Sequence, residues 1–168
     1  RLKRNPKLCR MVFANAYQNV APSGYLKQAF ESAGFTNVIH IPNSIEIEKY
    51  EFKQREIITP KLIWVRAFAS IYNPTMAVKV VAELQKIYPN ATLTMVGPDK
   101  DGSLETTKLF VNSINTMVNF TGKLTKEDWW KLASEHDIFI NTTHFDNTPV
   151  SVMEAMTLGL PVVSTNVG

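Results

Sequence analysis

Residues 61–97 read KLIWVRAFASIYNPTMAVKVVAELQKIYPNATLTMVG, a pattern that predicts the fold class. Its two ends, 61–68 and 92–97, are short β-rich runs that predict strands. Between them, Asn73 predicts a helix N-cap and Pro74 the first helical position. The apolar residues that follow recur at spacings of three and four, which predicts a helix. The stretch is therefore a β-α-β unit, in which the two strands lie parallel.

The same alternation continues after residue 97. Further strands are predicted at 118–122, 137–141 and 161–165, with helices at 104–114, from 125 to about 135, and at 150–158. Thr125 and Asp128 resemble a capping box, and Thr148 followed by Pro149 repeats the cap-plus-proline pattern. We expect an α/β, Rossmann-like domain whose parallel sheet carries helices on both faces and whose crossovers are right-handed.

The residues before 61 are organised differently. Short strands are predicted at 19–22 and 38–42, with a helix at 25–33 between them. The polar, charged stretch that follows has a composition typical of a linker. We therefore predict three parts: residues 1–42 as the tail of one domain, 43–60 as an interdomain linker, and 61–168 as the sheet domain, cut short after its last strand.

The composition argues against several classes of function. The net charge is +3, but basic residues crowd the first ten positions, at Arg1, Lys3, Arg4, Lys7 and Arg10. A nucleic-acid binder should instead carry a basic face on its folded body, so we expect a solvated helix surface and no nucleic-acid partner. No apolar run approaches the ~18 residues of a membrane span, and the only cysteine, Cys9, cannot form an internal disulfide. These features predict a soluble, cytoplasmic protein.

Ligands of open α/β sheets bind beyond the carboxyl ends of the strands. One loop there, in FDNTPVSVMEAMTLGLPVVSTNVG (145–168), leads into a predicted helix flanked by Asp146 and Glu154. Ionised carboxylates accept hydrogen bonds from hydroxyls, so Asp146 could hold a sugar and Glu154 a ribose. The free helix amides near Val150 and Ser151 would face a diphosphate. The alternative is that Asp146 is a turn residue and Glu154 a solvent-facing charge, although Glu154 lies within an apolar sequence.

The stretch 146–168 resembles the E-x7-E region of the group 1 retaining glycosyltransferases, which have the GT-B fold. IPNS (41–44) is similar to the hinge of that family, LTMVGPDKDG (93–102) to its donor loop, and APSGYLKQAF (21–30) to the end of its acceptor domain. The resemblance implies that 1–42 is the tail of the acceptor-side N-terminal domain. It also implies that 61–168 is the nucleotide-sugar-binding half of the GT-B fold.

The resemblance also implies roles for individual residues. Glu154 would bind the donor ribose, and Asp146, in place of the family's first glutamate, would bind the transferred sugar. Arg66 matches an arginine that contacts the diphosphate. The usual lysine a few residues later is absent, and Asn73 either replaces its hydrogen bond or only caps the helix. The remaining predicted donor-binding residues are Gly97, Gly122, Lys123, Leu124, Asn147, Val150 and Ser151, with Gly122, Lys123 and Leu124 near the base.

The implied activity is transfer of a sugar from a nucleotide diphosphate sugar to a glycan or lipid-linked acceptor, with retention of configuration. We expect no cofactor and no metal, because the predicted sheet shows no D-x-D carboxylate pair suited to holding a divalent ion between phosphates. With the acceptor half nearly absent, the chain alone should bind donor weakly and catalyse nothing, and any peripheral membrane contact would come from missing parts. The alternatives are a non-catalytic nucleotide-binding regulatory module and a GT-B-like sugar-nucleotide epimerase.

Overall fold

The computed structural model describes residues 5–167, which divide into two units, 5–44 and Ile45–Val167. Arg1, Lys3 and Arg4 of the basic cluster lie outside the described residues, as does Gly168 at the end of the predicted donor segment. None of the helices in the described part of the chain is long and apolar enough to cross a membrane.

The first unit pairs two short parallel strands with two helices. In chain order the elements are α1 (Pro6–Asn15), β1 (Asn19–Ala21), α2 (Gly24–Ser32) and β2 (Val38–His40). Ser23 caps α2, since its Oγ accepts a hydrogen bond from the amide of Leu26 at 3.1 Å. Lys7 and Arg10 are exposed on α1, as expected for basic residues on a solvated helix.

The second unit is a five-stranded parallel sheet in the order β5-β4-β3-β6-β7. Its strands are β3 (Lys61–Val65), β4 (Thr92–Val96), β5 (Val118–Gly122), β6 (Ile138–Asn141) and β7 (Val162–Ser164). Its helices are α3 (Pro74–Gln85), α4 (Ser103–Ile114), α5 (Lys126–Ala133) and α6 (Val150–Thr157), with 3₁₀ turns at Ile47–Lys49 and Ser70–Tyr72. The strand order reverses between β3 and β6, and such switch points are where open α/β sheets bind ligands.

Both faces of this sheet are covered, as predicted. Successive residues of a strand point to opposite faces, so Ile63 and Trp64 of β3 enter different cores. Trp64 packs with Val78 of α3 and other apolar residues, while Ile63 packs with Trp129 of α5 and Ala155 of α6. The sequence prediction of the α/β fold class is confirmed.

Of the three predicted helix caps, Asn73 is at the predicted position without the capping hydrogen bond, Thr148 is misplaced, and Thr125 is confirmed. Asn73 occupies the N-cap position of α3 but has φ 48° and ψ 56°, and its side chain makes no capping hydrogen bond. A capping residue needs extended backbone to aim its side chain at the next amides, and the left-handed conformation does not provide it. Thr148 donates to the carbonyl of Asn147 at 2.6 Å, and α6 begins only after Pro149. Thr125 does cap α5, accepting from the amide of Asp128 at 3.1 Å.

Residues 45–60, most of the predicted linker, pack onto the sheet unit. The side chain of Arg55 is 2% exposed. It donates to the main-chain carbonyls of Lys53, Ala133 and His136, each at 2.9 Å, and of Leu158 at 3.0 Å. These four carbonyls compensate the burial of the arginine and hold this part of the stretch against the sheet unit.

Candidate active site

The carboxyl ends of β3 and β6 bring together two predicted site residues. Arg66 directly follows β3, and Asp146 lies in the loop after β6. Nη2 of Arg66 and Oδ2 of Asp146 form an ion pair, and the two side chains are only 15% and 14% exposed. A cation and an anion are thus held side by side at the switch point of the sheet.

Arg66 contacts an aromatic ring and is partly shielded from solvent. Its Cζ lies 4.9 Å from the ring centroid of Tyr72, within range of a cation–π interaction. Its Nε is buried without a hydrogen-bond partner in the part of the chain that the structure describes. A guanidinium has five N–H donors, so the pair with Asp146 leaves further donors for an anion.

The loop that carries Asp146 is tied to the loop after β3. Thr142 Oγ1 donates to the carbonyl of Asn73 at 2.9 Å, and Thr143 Oγ1 to that of Ile71 at 3.1 Å. The amide of His144 donates to the same Ile71 carbonyl at 2.8 Å. Both threonines are buried. These bonds hold the two loops in register, and so hold Asp146 beside Arg66.

The other carboxylate oxygen of Asp146 is hydrogen-bonded to the neighbouring residue. Oδ1 accepts a hydrogen bond from the amide of Asn147 at 2.8 Å, which is a turn-type contact. The turn role considered from the sequence is therefore real. It accompanies the ion pair with Arg66 rather than replacing it.

Glu154 is not a solvent-facing charge. It is 4% exposed. Its Oε1 accepts a hydrogen bond from the hydroxyl of Tyr50 at 3.0 Å and lies 3.0 Å from Nζ of Lys126. Burial and the hydrogen bond to Glu154 raise the pKa of Tyr50 to about 12, so the phenol stays protonated at neutral pH. The helical position of Glu154 thus places a carboxylate inside the unit, next to two donors.

The two predicted glycines have different surroundings. A Cβ on Gly97 would lie 1.8 Å from the carbonyl oxygen of Arg66, so main chain already fills that space. Gly97 also donates its amide to the carbonyl of Gly122 at 2.9 Å. Gly122 has φ +73°, and a Cβ on it would meet open space. After it come Lys123, which is exposed, and Leu124, which packs against the α5–α6 core.

Within residues 5–167, the start of α6 offers polar groups that have no hydrogen-bond partner. The amides of Val150 and Ser151 belong to the first helical turn and have no acceptor within the helix. Ser151 Oγ is buried and, among the described residues, has no hydrogen-bond partner. Asn73 points elsewhere, with Oδ1 accepting from Thr75 at 3.4 Å and Nδ2 lying 3.5 Å from the sulfur of Met76.

Residues 59–168 match the family described as Glycosyl transferases group 1. The chain belongs to this family. No curated protein sequence matches it.

Solved structures agree with this glycosyltransferase assignment at the level of the fold. Anabaena HepE, solved with UDP-glucose, superposes with a TM-score of 0.82 at 17% identity over 99% of this chain and 50% of its own. Sucrose-phosphate synthase from Thermosynechococcus elongatus gives 0.81 at 17%, over 99% of this chain and 45% of its own. A variant of S. aureus TarM, solved with fondaparinux, alpha-GlcNAc-glycerol and UDP, gives 0.81 at 12%, over 98% and 33%. The GT-B fold is confirmed, and the chain spans half or less of each of these proteins.

In this family member the predicted carboxylates belong to two separate clusters. Asp146 pairs with Arg66. Glu154 contacts Tyr50 and Lys126, neither of which sequence reasoning identified. Tyr50 lies in the stretch predicted as a linker, where no periodicity marks it. Lys126 follows the Thr125 cap, and a lysine in a first helical turn is ordinarily a surface charge.

Proposed function

We propose that this chain is the donor-binding half of a retaining glycosyltransferase that takes its sugar from a nucleoside diphosphate sugar. The observation that carries the proposal is the Arg66–Asp146 ion pair at the switch point of a parallel sheet. Family membership supports glycosyl transfer. The compounds solved with HepE and TarM make uridine nucleotides the first donors to test.

The charge of each side chain determines its proposed role in donor binding. The donors of Arg66 left unused by Asp146 would bind the diphosphate, together with the first amides of α6 at Val150 and Ser151. Asp146 would accept hydrogen bonds from the sugar, and Glu154 from the ribose. Because hydroxyl groups donate and carboxylates only accept, each contact matches in polarity.

Secondary contacts complete the proposed donor site. The main chain at Gly122, Lys123 and Leu124 would meet the base, and Gly97, Asn73 and Asn147 would line the remaining surface. Asn73 is the least favoured of these, since its side chain is engaged with Thr75 and Met76. We propose metal-independent transfer, in which Arg66 and the positive end of α6 neutralise the leaving diphosphate.

Transfer itself needs an acceptor side. The chain spans half or less of its solved relatives. We therefore propose that a glycan or lipid-linked acceptor, and any peripheral membrane contact, involve parts outside this chain, in a cytoplasmic protein. The chain alone should bind donor weakly and transfer no sugar.

Calorimetric titration with UDP-glucose, UDP and uridine tests this proposal. We expect UDP-glucose and UDP to bind, and Glu154→Ala to weaken both by about tenfold or more, as for a lost hydrogen bond to a charged group. Glu83→Ala is the matched control, because Glu83 is an exposed glutamate on α3. Absence of nucleotide binding by the wild-type chain would contradict the proposal.

Two measurements, the titration and an activity assay of the longer protein, separate the alternatives. A regulatory nucleotide-binding module would bind UDP and UDP-glucose equally, with no contribution from the sugar. An epimerase would convert the free nucleotide sugar without any acceptor when the longer protein is assayed. Either result would replace the proposed transferase activity.

A further inference from the structure

The carboxylate of Glu154 is held on one oxygen only. The hydroxyl of Tyr50 and the ammonium of Lys126 both lie 3.0 Å from Oε1. In the described range, residues 5–167, no hydrogen bond or ion pair reaches Oε2. A carboxylate that turns about its last bond presents either oxygen, since this torsion is broad and two-fold. Two donors on Oε1 fix the plane of the carboxylate and leave Oε2 as the oxygen that can accept a further hydrogen bond.

Tyr50 is built to be the fixed member of this arrangement. Its ring packs against Trp130, with the centroids 4.3 Å apart. Its hydroxyl donates to Oε1 of Glu154 at 3.0 Å, and burial together with this bond raises the pKa of Tyr50 to about 12. A tyrosine has few rotatable bonds, and packing of the ring removes most of that freedom.

Lys126 is the adjustable member. Its side chain is 63% exposed, and its ammonium is a compact charge on a flexible stem. It attracts the carboxylate of Glu154 without restricting the position of that group as tightly as a packed phenol does. Removing Lys126 should therefore disturb the orientation of Glu154 less than removing the hydroxyl of Tyr50.

We propose that Tyr50, assisted by Lys126, is a positioning residue that holds Glu154 with Oε2 free to accept a hydrogen bond from a ribose hydroxyl. This inference rests on the proposed role of Glu154 as the ribose-binding residue. It predicts that the ability to distinguish a ribonucleotide from an analogue without ribose hydroxyls depends on a residue that touches neither ligand.

The test compares UDP with its 2′,3′-dideoxy analogue by calorimetric titration of the 168-residue chain. We expect the wild type to bind UDP about tenfold more tightly, as one charged hydrogen bond would give. Tyr50→Phe should weaken UDP binding about three- to tenfold and change binding of the analogue by less than about twofold. Glu154→Gln should remove most of the preference. Tyr88→Phe, at an exposed tyrosine, is the control and should change neither affinity.

Each outcome distinguishes this inference from the proposed function. If Glu154→Gln removes the preference and Tyr50→Phe leaves it intact, the positioning role is overturned while the donor site stands. Equal weakening of both ligands by Tyr50→Phe would show a merely structural tyrosine and would also overturn it. If the wild type shows no preference for UDP, or Glu154→Gln has no effect, the ribose role of Glu154 fails and the inference fails with it.

A second variant tests the inference if Tyr50→Phe does not fold. Lys126→Gln changes an exposed side chain and should fold normally. It should lower the preference for UDP in the same direction, by about two- to threefold. Should Tyr50→Phe prove unfolded and Lys126→Gln retain the full preference, the inference is overturned.

Discussion

The side chains of Arg66 and Asp146, eighty positions apart in the sequence, form an ion pair where β3 and β6 end. Each strand delivers one member of the pair, so the topology of the sheet creates it. A site that binds a diphosphate and a sugar needs a cation for the first and an acceptor for the second. In the proposed donor site this pair would supply both, and the threonines at 142 and 143 hold the two loops together.

Replacing Arg66 should affect the phosphates selectively. Arg66→Met should weaken UDP binding about ten- to a hundredfold, because hydrogen bonds to charged groups contribute roughly 1.5–3 kcal/mol. Uridine, which has no phosphate, should bind as before. Calorimetry on both ligands gives the comparison, with Lys79→Met on the exposed face of α3 as control. An equal loss of uridine affinity would mean that Arg66 only maintains the shape of the site.

Replacing Asp146 should affect the sugar selectively. Asp146→Asn keeps the shape of the side chain but removes its charge, which weakens its hydrogen bonds to hydroxyl donors. The affinity for UDP-glucose should fall about five- to tenfold, and that for UDP should not fall. Competition between the two ligands measures the ratio directly. A parallel fall for both would remove the sugar role of Asp146.

The two loop glycines provide a matched pair for stability. Gly97→Ala would place a Cβ 1.8 Å from the carbonyl oxygen of Arg66, so main chain must shift. We expect the free energy of unfolding to fall by about 2–4 kcal/mol. Gly122→Ala meets open space at φ +73° and should cost about 1–2 kcal/mol, from the left-handed conformation alone. Urea denaturation checks both, and equal losses would contradict the role of Gly97 in packing.

Acid should destabilise the sheet unit through His136. This side chain is buried, with Nδ1 2.8 Å from the carbonyl of Leu132 and Nε2 2.9 Å from Thr94 Oγ1. Burial lowers its pKa from the ordinary 6.5. Below pH 6.5 the unfolded chain therefore binds a proton at His136 that the folded chain does not bind. The free energy of unfolding falls as the pH falls from 6.5 towards the folded pKa. Above pH 6.5 neither state is protonated at His136, and the stabilisation from the neutral histidine is complete.

Urea denaturation at about pH 7.5 and about pH 5 measures this effect. His136→Gln should lose less stability between the two pH values than the wild type does, although it starts less stable. His144→Gln, at an exposed histidine, should keep the wild-type difference. An unchanged difference in His136→Gln would assign the acid sensitivity to other groups.

The sheet could be predicted from the sequence because its signals are local. The apolar run around Ile63 and Trp64, and the Thr125 cap with Asp128, depend only on neighbouring residues. Asn73 is at the predicted N-cap position of α3, but its side chain makes no capping hydrogen bond, because distant bonds shape the loop before it. The amide of Ser70 donates to Asp101 at 2.9 Å, and Thr142 donates to the carbonyl of Asn73 itself.

The site could be predicted only in part, for the same reason. Resemblance to a family pointed to Arg66, Asp146 and Glu154, but spacing along the chain could not pair Arg66 with Asp146. Tyr50 and Glu154 are 104 positions apart, and Tyr50 lies in a charged stretch without periodicity. The packing of that stretch depends on Arg55 reaching carbonyls at helix ends, which no local pattern reveals.

The most direct test of the donor site is a crystal structure of the chain with UDP-glucose bound. We expect a phosphate oxygen within hydrogen-bond distance of the Arg66 guanidinium, a ribose hydroxyl on Oε2 of Glu154, and a glucose hydroxyl on Asp146. A nucleotide bound away from the ends of β3 and β6, with Glu154 still contacted only by Tyr50 and Lys126, would contradict this expectation.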